Sequence, residues 1–369
     1  MNNNIKLYID GLFYKGAGIG RYYESLTKEL AKRDIKIYTC VPKSLRDSFE
    51  KDFAVVSKNL EPIFVDYQKF SIKGFLTQSE ILRKLERNID IFFYPHVNLP
   101  LYVPKNIVTT IHDIIPFTEF WDRSTIKKYV FKFYLERALK KSTRIVVISK
   151  TVTQELVEKF NINSSKIKVI YVFIDDKFKQ NFEIEKPIIQ KDYILFVGNR
   201  KKHKNLKNLI LAYNKIKDIA GVKLVIAGSK EKDKDEVDEL ILSLNLKDYV
   251  IELISPPDKV IINLYQHAKL FVFPSLFEGF GLPPLEALSL GCPVIASNIP
   301  VLKEILGEEI ACFNPYDIED MAKKLLNAIN DETYRLNLLR VGKERLKLFD
   351  KNRIIDEYII LFNEVLMGA

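Results

Sequence analysis

Cysteine is scarce in this chain: three in 369 residues, Cys40, Cys292 and Cys312, far apart and without a CxxC or His/Cys cluster. A disulfide framework and a zinc site are therefore not expected, and the usage fits a reducing cytoplasm. Long apolar runs are missing too. No stretch approaches the roughly 18 to 20 uninterrupted apolar residues of a spanning helix, and the opening MNNNIKLYID has neither a basic n-region nor an apolar h-region, so secretion and membrane insertion are not expected. No repeat period is visible. With 47% hydrophobic and 28% charged residues the composition excludes a disordered or collagen-like chain.

Acidic residues are what the first half lacks. Residues 1–180 hold 31 Lys/Arg against 20 Asp/Glu, whereas residues 181–369 hold 26 against 28. The net +9 of the chain thus belongs to its first half, which suits an anionic partner such as nucleic acid or the phosphates of a membrane surface. At 369 residues the chain is two to three times a common domain length of about 150, so two cores are expected.

Short β-branched and aromatic runs alternate with segments of helical apolar spacing, the pattern of βαβ units and parallel sheets. The first half predicts strands at Ile5–Ile9, Ile35–Cys40, Ile63–Asp66, Ile91–Tyr94, Ile107–Ile111, Ile145–Ile148 and Lys168–Val172, with helices at Gly20–Arg33, Gln78–Asn88, Ser124–Lys140 and Ser149–Phe160. A charged segment around Pro187 reads as a linker. The second half predicts strands at Tyr193–Val197, Lys223–Ala227, Val250–Leu253, Leu270–Phe273, Pro293–Ser297 and Ile310–Phe313. Helices fall between them, and three more, Asp317–Ile329, Glu332–Leu348 and Lys351–Leu366, follow without strands. The predicted organisation is a doubly wound domain over 1–180, a linker over 181–191, a second such domain over 192–348, and a C-terminal helix over 349–369 that reaches back toward the first domain.

Ligands of such sheets bind at strand carboxyl ends, where helix N-termini offer unpaired N–H groups. After the strand Leu270–Phe273 the chain reads PSLFEGFGLPPLEA, from Pro274 to Ala287. Gly279 and Gly281 let backbone approach a ligand, and Pro283 and Pro284 suit a first helical turn. Glu278 in the loop and Glu286 on the helix are carboxylates suited to the vicinal hydroxyls of a sugar or ribose. A second basic turn, Gly198-Asn199-Arg200-Lys201-Lys202-His203-Lys204, follows the strand Tyr193–Val197 and could neutralise a diphosphate without a metal. In the first half, Gly11 to Tyr22 is a glycine-containing turn that lacks GxGxxG spacing, and no acidic residue follows the next strand, which argues against a dinucleotide cofactor. His112 and His96 also follow strands.

The stretch Phe273 to Ser297, FPSLFEGFGLPPLEALSLGCPVIAS, resembles the signature of the retaining glycosyltransferases of family 4, also called group 1, with two glutamates separated by seven residues. The resemblance implies an α/β GT-B fold: two Rossmann-like doubly wound domains facing a central cleft, with a helical C-terminal segment. It implies that Glu286 binds the nucleotide ribose, and that Glu278 with Gly279, Phe280, Gly281 and Leu282 holds the donor sugar and diphosphate. Gly198 belongs to the family's basic turn, and Lys204 matches its lysine. The preceding arginine is replaced by His203, and whether Arg200 or His203 fills that role stays open. Gly18 and Gly20 match the family's glycine-rich loop, and His112 its cleft histidine, which approaches the transferred sugar.

The function so implied is retaining transfer of a hexose or deoxyhexose, for example mannose, from a nucleoside-diphosphate sugar to a glycan acceptor. The acceptor is expected to be lipid-linked, in surface polysaccharide synthesis of O-antigen or capsule type. His112, Arg200, Lys204 and Glu278 are the expected catalytic residues, with no metal and no cofactor. The partners are donor, acceptor and the anionic inner face of the cell membrane, contacted by Lys127, Lys128, Lys132, Lys140 and Lys141 with Tyr129, Phe131, Phe133 and Tyr134. Nucleic acid is not an expected partner. Two alternatives remain at this level: a nucleotide-sugar epimerase of the same fold, and a basic nucleic-acid-binding protein, for which no motif is present.

Overall fold

In the computed structural model, which describes residues 5–33, 35–121, 124–179, 185–231 and 233–368, the β-branched runs are strands and the helical-period segments lie between them. The chain divides into two units, Met1–Val172 together with Lys351–Ala369, and Phe173–Asp350. Each is a parallel sheet with helical crossovers.

The first unit contains β1 (Lys6–Ile9), β2 (Lys36–Pro42), β3 (Leu60–Val65), β4 (Ile91–Tyr94), β5 (Ile107–Ile111), β6 (Arg144–Val147) and β7 (Ile167–Val169). Its helices are α1 (Gly18–Ala31), α2 (Arg46–Asp52), α3 (Ile72–Leu85), α4 (Thr125–Lys141) and α5 (Lys150–Phe160). Sheet order is β3-β2-β1-β4-β5-β6-β7, all parallel. The central strands β4 and β5 are buried at every residue, which is why they read as continuous apolar or β-branched runs rather than alternating ones.

The second unit contains β8 (Tyr193–Val197), β9 (Lys223–Gly228), β10 (Val250–Ile254), β11 (Leu270–Phe273), β12 (Val294–Ser297) and β13 (Ala311–Phe313), in the order β10-β9-β8-β11-β12-β13. Around them lie α6 (Leu206–Ala220), α7 (Glu236–Ser243), α8 (Asp258–His267), α9 (Leu282–Ser289), α10 (Pro300–Leu306), α11 (Ile318–Asn330) and α12 (Glu332–Leu346). The last helix, α13 (Lys351–Leu366), belongs to the first unit. Its Tyr358 and Phe362 rings pack 5.8 Å from Phe93 of β4, and Lys351 pairs with Glu29 of α1 at 3.3 Å.

Strand β7 ends at Val169 rather than Val172 and α1 spans Gly18–Ala31 rather than Gly20–Arg33; three further departures have a plain local cause. Helix α3 starts at Ile72 rather than Gln78, because the Ser71 hydroxyl caps it by accepting from the Gly74 N–H at 3.0 Å. Strand β3 starts at Leu60 and runs through Pro62, which is tolerated because β3 is an edge strand. Helix α2 is absent from the reading: seven residues with only Phe49 buried are too short for a period to declare itself. Residues 181–184 of the expected linker lie outside the described residues. Beyond them the chain is tied to α8, where the Asn263 side chain accepts from the Ile188 N–H at 3.1 Å and donates to the Lys186 carbonyl at 3.0 Å. Among the described residues no helix is long and apolar enough to cross a membrane.

Candidate functional site

A doubly wound sheet opens its crevice outside the strand C-termini where strand order reverses. In the second unit that reversal falls between the neighbours β8 and β11. The loops after these two strands carry Lys204 and Glu278, and the structure brings them together: Lys204 Nζ donates to Glu278 Oε1 at 2.6 Å, with the side chains only 14% and 12% exposed. The ammonium also lies 5.3 Å from the centroid of the Phe273 ring, a cation–π distance.

Backbone ties fix this pairing. The Leu276 N–H donates to the His203 carbonyl at 2.7 Å, joining the basic turn to the loop after β11. Asn205, left-handed at φ +57°, donates its amide to the carbonyls of Pro274 at 3.0 Å and Pro315 at 2.8 Å. At the same strand ends Gly228, at φ +150°, approaches Gly198 so closely that a Cβ would stand 1.9 Å from the Gly198 oxygen. Asn205 and Gly228 were missed at the sequence level. Asn205 was legible as a residue that tolerates a left-handed turn before a helix, whereas Gly228 makes sense only across the sheet.

Gly281, φ +118°, is the N-cap of helix α9, which has prolines in its first turn. Glu286 is buried on α9 at 6% exposure. Phe280 is buried, its ring edge-on against Phe349 at 5.6 Å between centroids. Ser275 is fully buried, and its hydroxyl finds no hydrogen-bond partner among the described residues. Gly279 precedes Phe280 in the loop, and Leu282 is the first residue of α9.

Arg200 corrects an expectation. Its guanidinium donates from Nη1 to Asp235 at 3.1 Å and to Asp238 at 3.0 Å, and from Nη2 to Glu252, with the side chain 5% exposed. Asp235 and Asp238 are themselves the capping box of α7. A guanidinium matched by three carboxylates has little field left for a diphosphate, so Arg200 positions the basic turn rather than acting on the reacting atoms. Burial, the largest influence on Asp238, would raise its carboxyl; the bonds from Lys230, the Asp235 N–H and Arg200 outweigh it and hold the group at about 2.

In the first unit the reversal lies between β1 and β4. Asp10 and His96 follow those strands and meet at 2.8 Å, fully out of solvent. Asp10 accepts in addition from the Leu12 N–H, the Tyr8 hydroxyl and Gln78 Nε2. His96 lies under the Phe13 ring, 4.3 Å between centroids, and is part of the buried frame of these loops. His112, after β5, is partly exposed; its Nε2–H donates to the Pro95 carbonyl at 2.8 Å, which leaves Nδ1 as the acceptor nitrogen. Burial pushes this imidazole down to about 4, so it is neutral at pH 7.

Of the two glycines at α1, Gly20 has a packing reason, since a Cβ would stand 2.6 Å from the Phe13 oxygen, while a Cβ on Gly18 meets nothing within 4 Å. On α4, Tyr134 is buried and Phe131 packs 6.1 Å from Phe117, so the expected aromatic contact narrows to Tyr129 and Phe133, exposed at 67% and 52%.

Residues 176–345 match the family described as Glycosyl transferases group 1, and residues 16–178 match Glycosyltransferase Family 4. The chain is 32% identical over 232 residues to the O-antigen chain mannosyltransferase RfbU of Salmonella typhimurium, covering 63% of each chain. It is 28% identical over 274 residues to O-antigen chain mannosyltransferase B of Escherichia coli, covering 70% of each. A glycosyltransferase structure from Rickettsia africae superposes with a TM-score of 0.77 at 20% identity over 100% of both chains, a likeness of fold.

Proposed function

Because the chain belongs to the group 1 glycosyltransferases of family 4, we propose that it transfers a hexose, mannose being the first candidate, from a nucleoside-diphosphate sugar to a glycan acceptor in surface polysaccharide synthesis. The observation that carries the reading is the Lys204–Glu278 pair, set at 2.6 Å where the second sheet reverses its strand order. A diphosphate needs a compensating cation and a sugar needs a carboxylate acceptor for its hydroxyls, and the pair supplies both. The mannose assignment takes its support from the names of the two O-antigen chain mannosyltransferases.

The reading assigns donor binding to the second unit. Glu286 takes the ribose hydroxyls and Glu278 the sugar, with backbone at Gly279, Phe280, Gly281 and Leu282 beside the diphosphate. The bond from the anomeric carbon to the diphosphate oxygen breaks, and the acceptor oxygen bonds to that carbon from the same face. The acceptor proton passes to the departing diphosphate, whose charge Lys204 compensates. The first unit takes the acceptor, with His112 as a neutral hydrogen-bonding group and Gly18 where backbone is accessible. No metal enters this scheme.

The acceptor is lipid-linked and the enzyme peripheral at an anionic membrane. Support comes from α4, where Ile126, Tyr129 and Phe133 are exposed at 75%, 67% and 52% beside Lys127, Lys128, Lys132, Lys140 and Lys141. The test is a panel of nucleotide sugars with thermal shift and product detection, with the anomeric configuration of the product read by NMR. Saturating donor at about 100 times its dissociation constant stabilises by about 2.7 kcal/mol. Retained configuration and activity in EDTA are the expected results. An inverted product, or activity lost in EDTA and restored by manganese, overturns the mechanism, and donor turnover to an epimer without acceptor overturns the transfer.

A further inference from the structure

The C-terminal helix meets the first unit through polar contacts that packing alone does not call for. Tyr22 of α1 and Tyr358 of α13 are both buried, and their hydroxyls hydrogen-bond to each other. Phenylalanine at either position would keep the ring packing, such as that of Tyr358 on Phe93 and Phe362, and a buried hydroxyl costs free energy unless it finds a partner. Farther along the same helix pair Glu29 meets Lys351 at 3.3 Å, and just past α1 Arg33 reaches Asn352 at 3.1 Å and Asp356 at 3.2 Å. Positions 22 and 29 of α1 are about two turns apart, as are positions 351 and 358 of α13, so these pairs form one antiparallel seam. Its tyrosine end is the end of α1 that carries Gly18 and Gly20.

The same tyrosine reaches a residue of the proposed reaction. Its hydroxyl also bonds the Thr110 hydroxyl at 3.1 Å, and its ring stands edge-on to the His112 imidazole, 4.8 Å between centroids at 88°. Thr110 and His112 are two residues apart at the end of β5, and Tyr22 spans both. The imidazole is thus held twice, by the bond from its Nε2–H to the Pro95 carbonyl and by the Tyr22 ring. A half-turn about its Cβ–Cγ bond would break the first restraint and is hindered by the second. We propose that Tyr22, fixed at its hydroxyl by Tyr358 and Thr110, is a positioning residue that holds His112 for sugar transfer, so that the C-terminal helix serves the reaction as well as the core. Tyr22 acts through His112 and not on the reacting atoms. Burial pushes its hydroxyl up to about 12, so it stays protonated and hydrogen-bonding near neutral pH. The proposal rests on the reading of His112 as a neutral hydrogen-bonding group in transfer, though the contacts stand without it.

Tyr22→Phe and Tyr358→Phe each keep the ring and remove one hydroxyl of the pair, with circular dichroism as the folding control. Each is expected to lower kcat about tenfold at unchanged KM for the donor, because a group displaced slightly from its reacting geometry loses rate rather than donor affinity. The double variant is expected to be no slower than either single one. In a His112→Asn background, Tyr358→Phe is expected to lower kcat no further. Arg33→Gln, at the far end of the seam, is expected to cost stability and leave kcat as it is. The chain has four histidines, so the imidazole nitrogen resonances of His112 are assigned by their loss in His112→Asn. Wild type is expected to show one protonated and one unprotonated nitrogen there, and the two tyrosine variants signals averaged toward each other. Unchanged His112 resonances in both tyrosine variants overturn the proposal, as does an equal fall in kcat on Tyr358→Phe with and without His112, or transfer slowed as much by Arg33→Gln. Absence of transfer in wild type refutes the glycosyltransferase reading instead, and the nitrogen spectra, which need no turnover, still decide whether Tyr22 holds the imidazole.

Discussion

Replacing Glu278 by Gln separates two roles that the pair with Lys204 combines. At 2.6 Å, opposite unit charges attract by about 6 kcal/mol in an effective dielectric of about 20. Taking both side chains to 14% and 12% exposure offsets much of that, so a double-mutant cycle on unfolding is expected to give a coupling of about 1–3 kcal/mol, between an exposed and a fully buried pair. The consequence for ligands is less obvious. With Glu278 as its partner, Lys204 is not available at full strength to a diphosphate, so Glu278→Gln should tighten binding of a bare nucleoside diphosphate, by about 1 kcal/mol or about fivefold. Lys204→Ala should weaken the same binding about tenfold. Transfer should fall in both variants, because one loses the sugar's acceptor and the other the charge beside the leaving group. Calorimetric titration with nucleoside diphosphates, run beside a turnover assay, checks this. If Glu278→Gln weakens bare diphosphate binding as much as Lys204→Ala does, Glu278 holds the nucleotide itself, and the competition argument is refuted.

Arg200→Ala leaves Asp235, Asp238 and Glu252 without their shared cation and should cost about 2–4 kcal/mol of stability by urea unfolding; unchanged stability with lost turnover would return Arg200 to the reacting atoms. Glu155 of α5 is pushed up from 4.5 to about 7 by burial, and its Oε2 has no hydrogen-bond partner among the described residues. Since its native pKa lies above the unfolded one, its burden on stability grows as pH rises from 4.5 to about 7 and is full above that. Glu155→Gln should therefore be neutral at pH 4 and stabilising at pH 8 by about 1–2 kcal/mol, after allowance for its solvent access; a gain that is the same at both pH values contradicts the assignment. His112 has the opposite sign: its native pKa of about 4 lies below the unfolded 6.5, so wild type should lose stability relative to His112→Asn as pH falls from 6.5 to 4, read by thermal unfolding. Phe362→Ala should cost about 3–5 kcal/mol, because its ring is fully buried on the first unit's β4 through Phe93; a loss below about 1 kcal/mol would show that α13 is not part of that core.

Much of this protein is decided locally and was legible in its sequence. The buried strands of parallel sheets are continuous apolar runs, so β4, β5, β8 and β11 could be placed residue by residue, and the loop from Pro274 to Ala287 announced itself through glycine, proline and glutamate at a strand-to-helix turn. Elements that depend on a cap or an edge, such as the start of α3 at Ser71 and Pro62 within β3, gave weaker local signals. What sequence alone left undecided is which charge meets which. Arg200 and Lys204 are four residues apart in one basic turn, yet one is matched by three carboxylates of α7 and β10 and the other reaches Glu278, because the strand order places β9 and β10 on one side of β8 and β11 on the other. Gly228 and Gly198, Asp10 and His96, and Tyr22 and Tyr358 are likewise juxtapositions across distant segments. Local spacing fixes hydrophobic period and turn chemistry, but electrostatic partners are set by sheet topology, which only the folded chain decides.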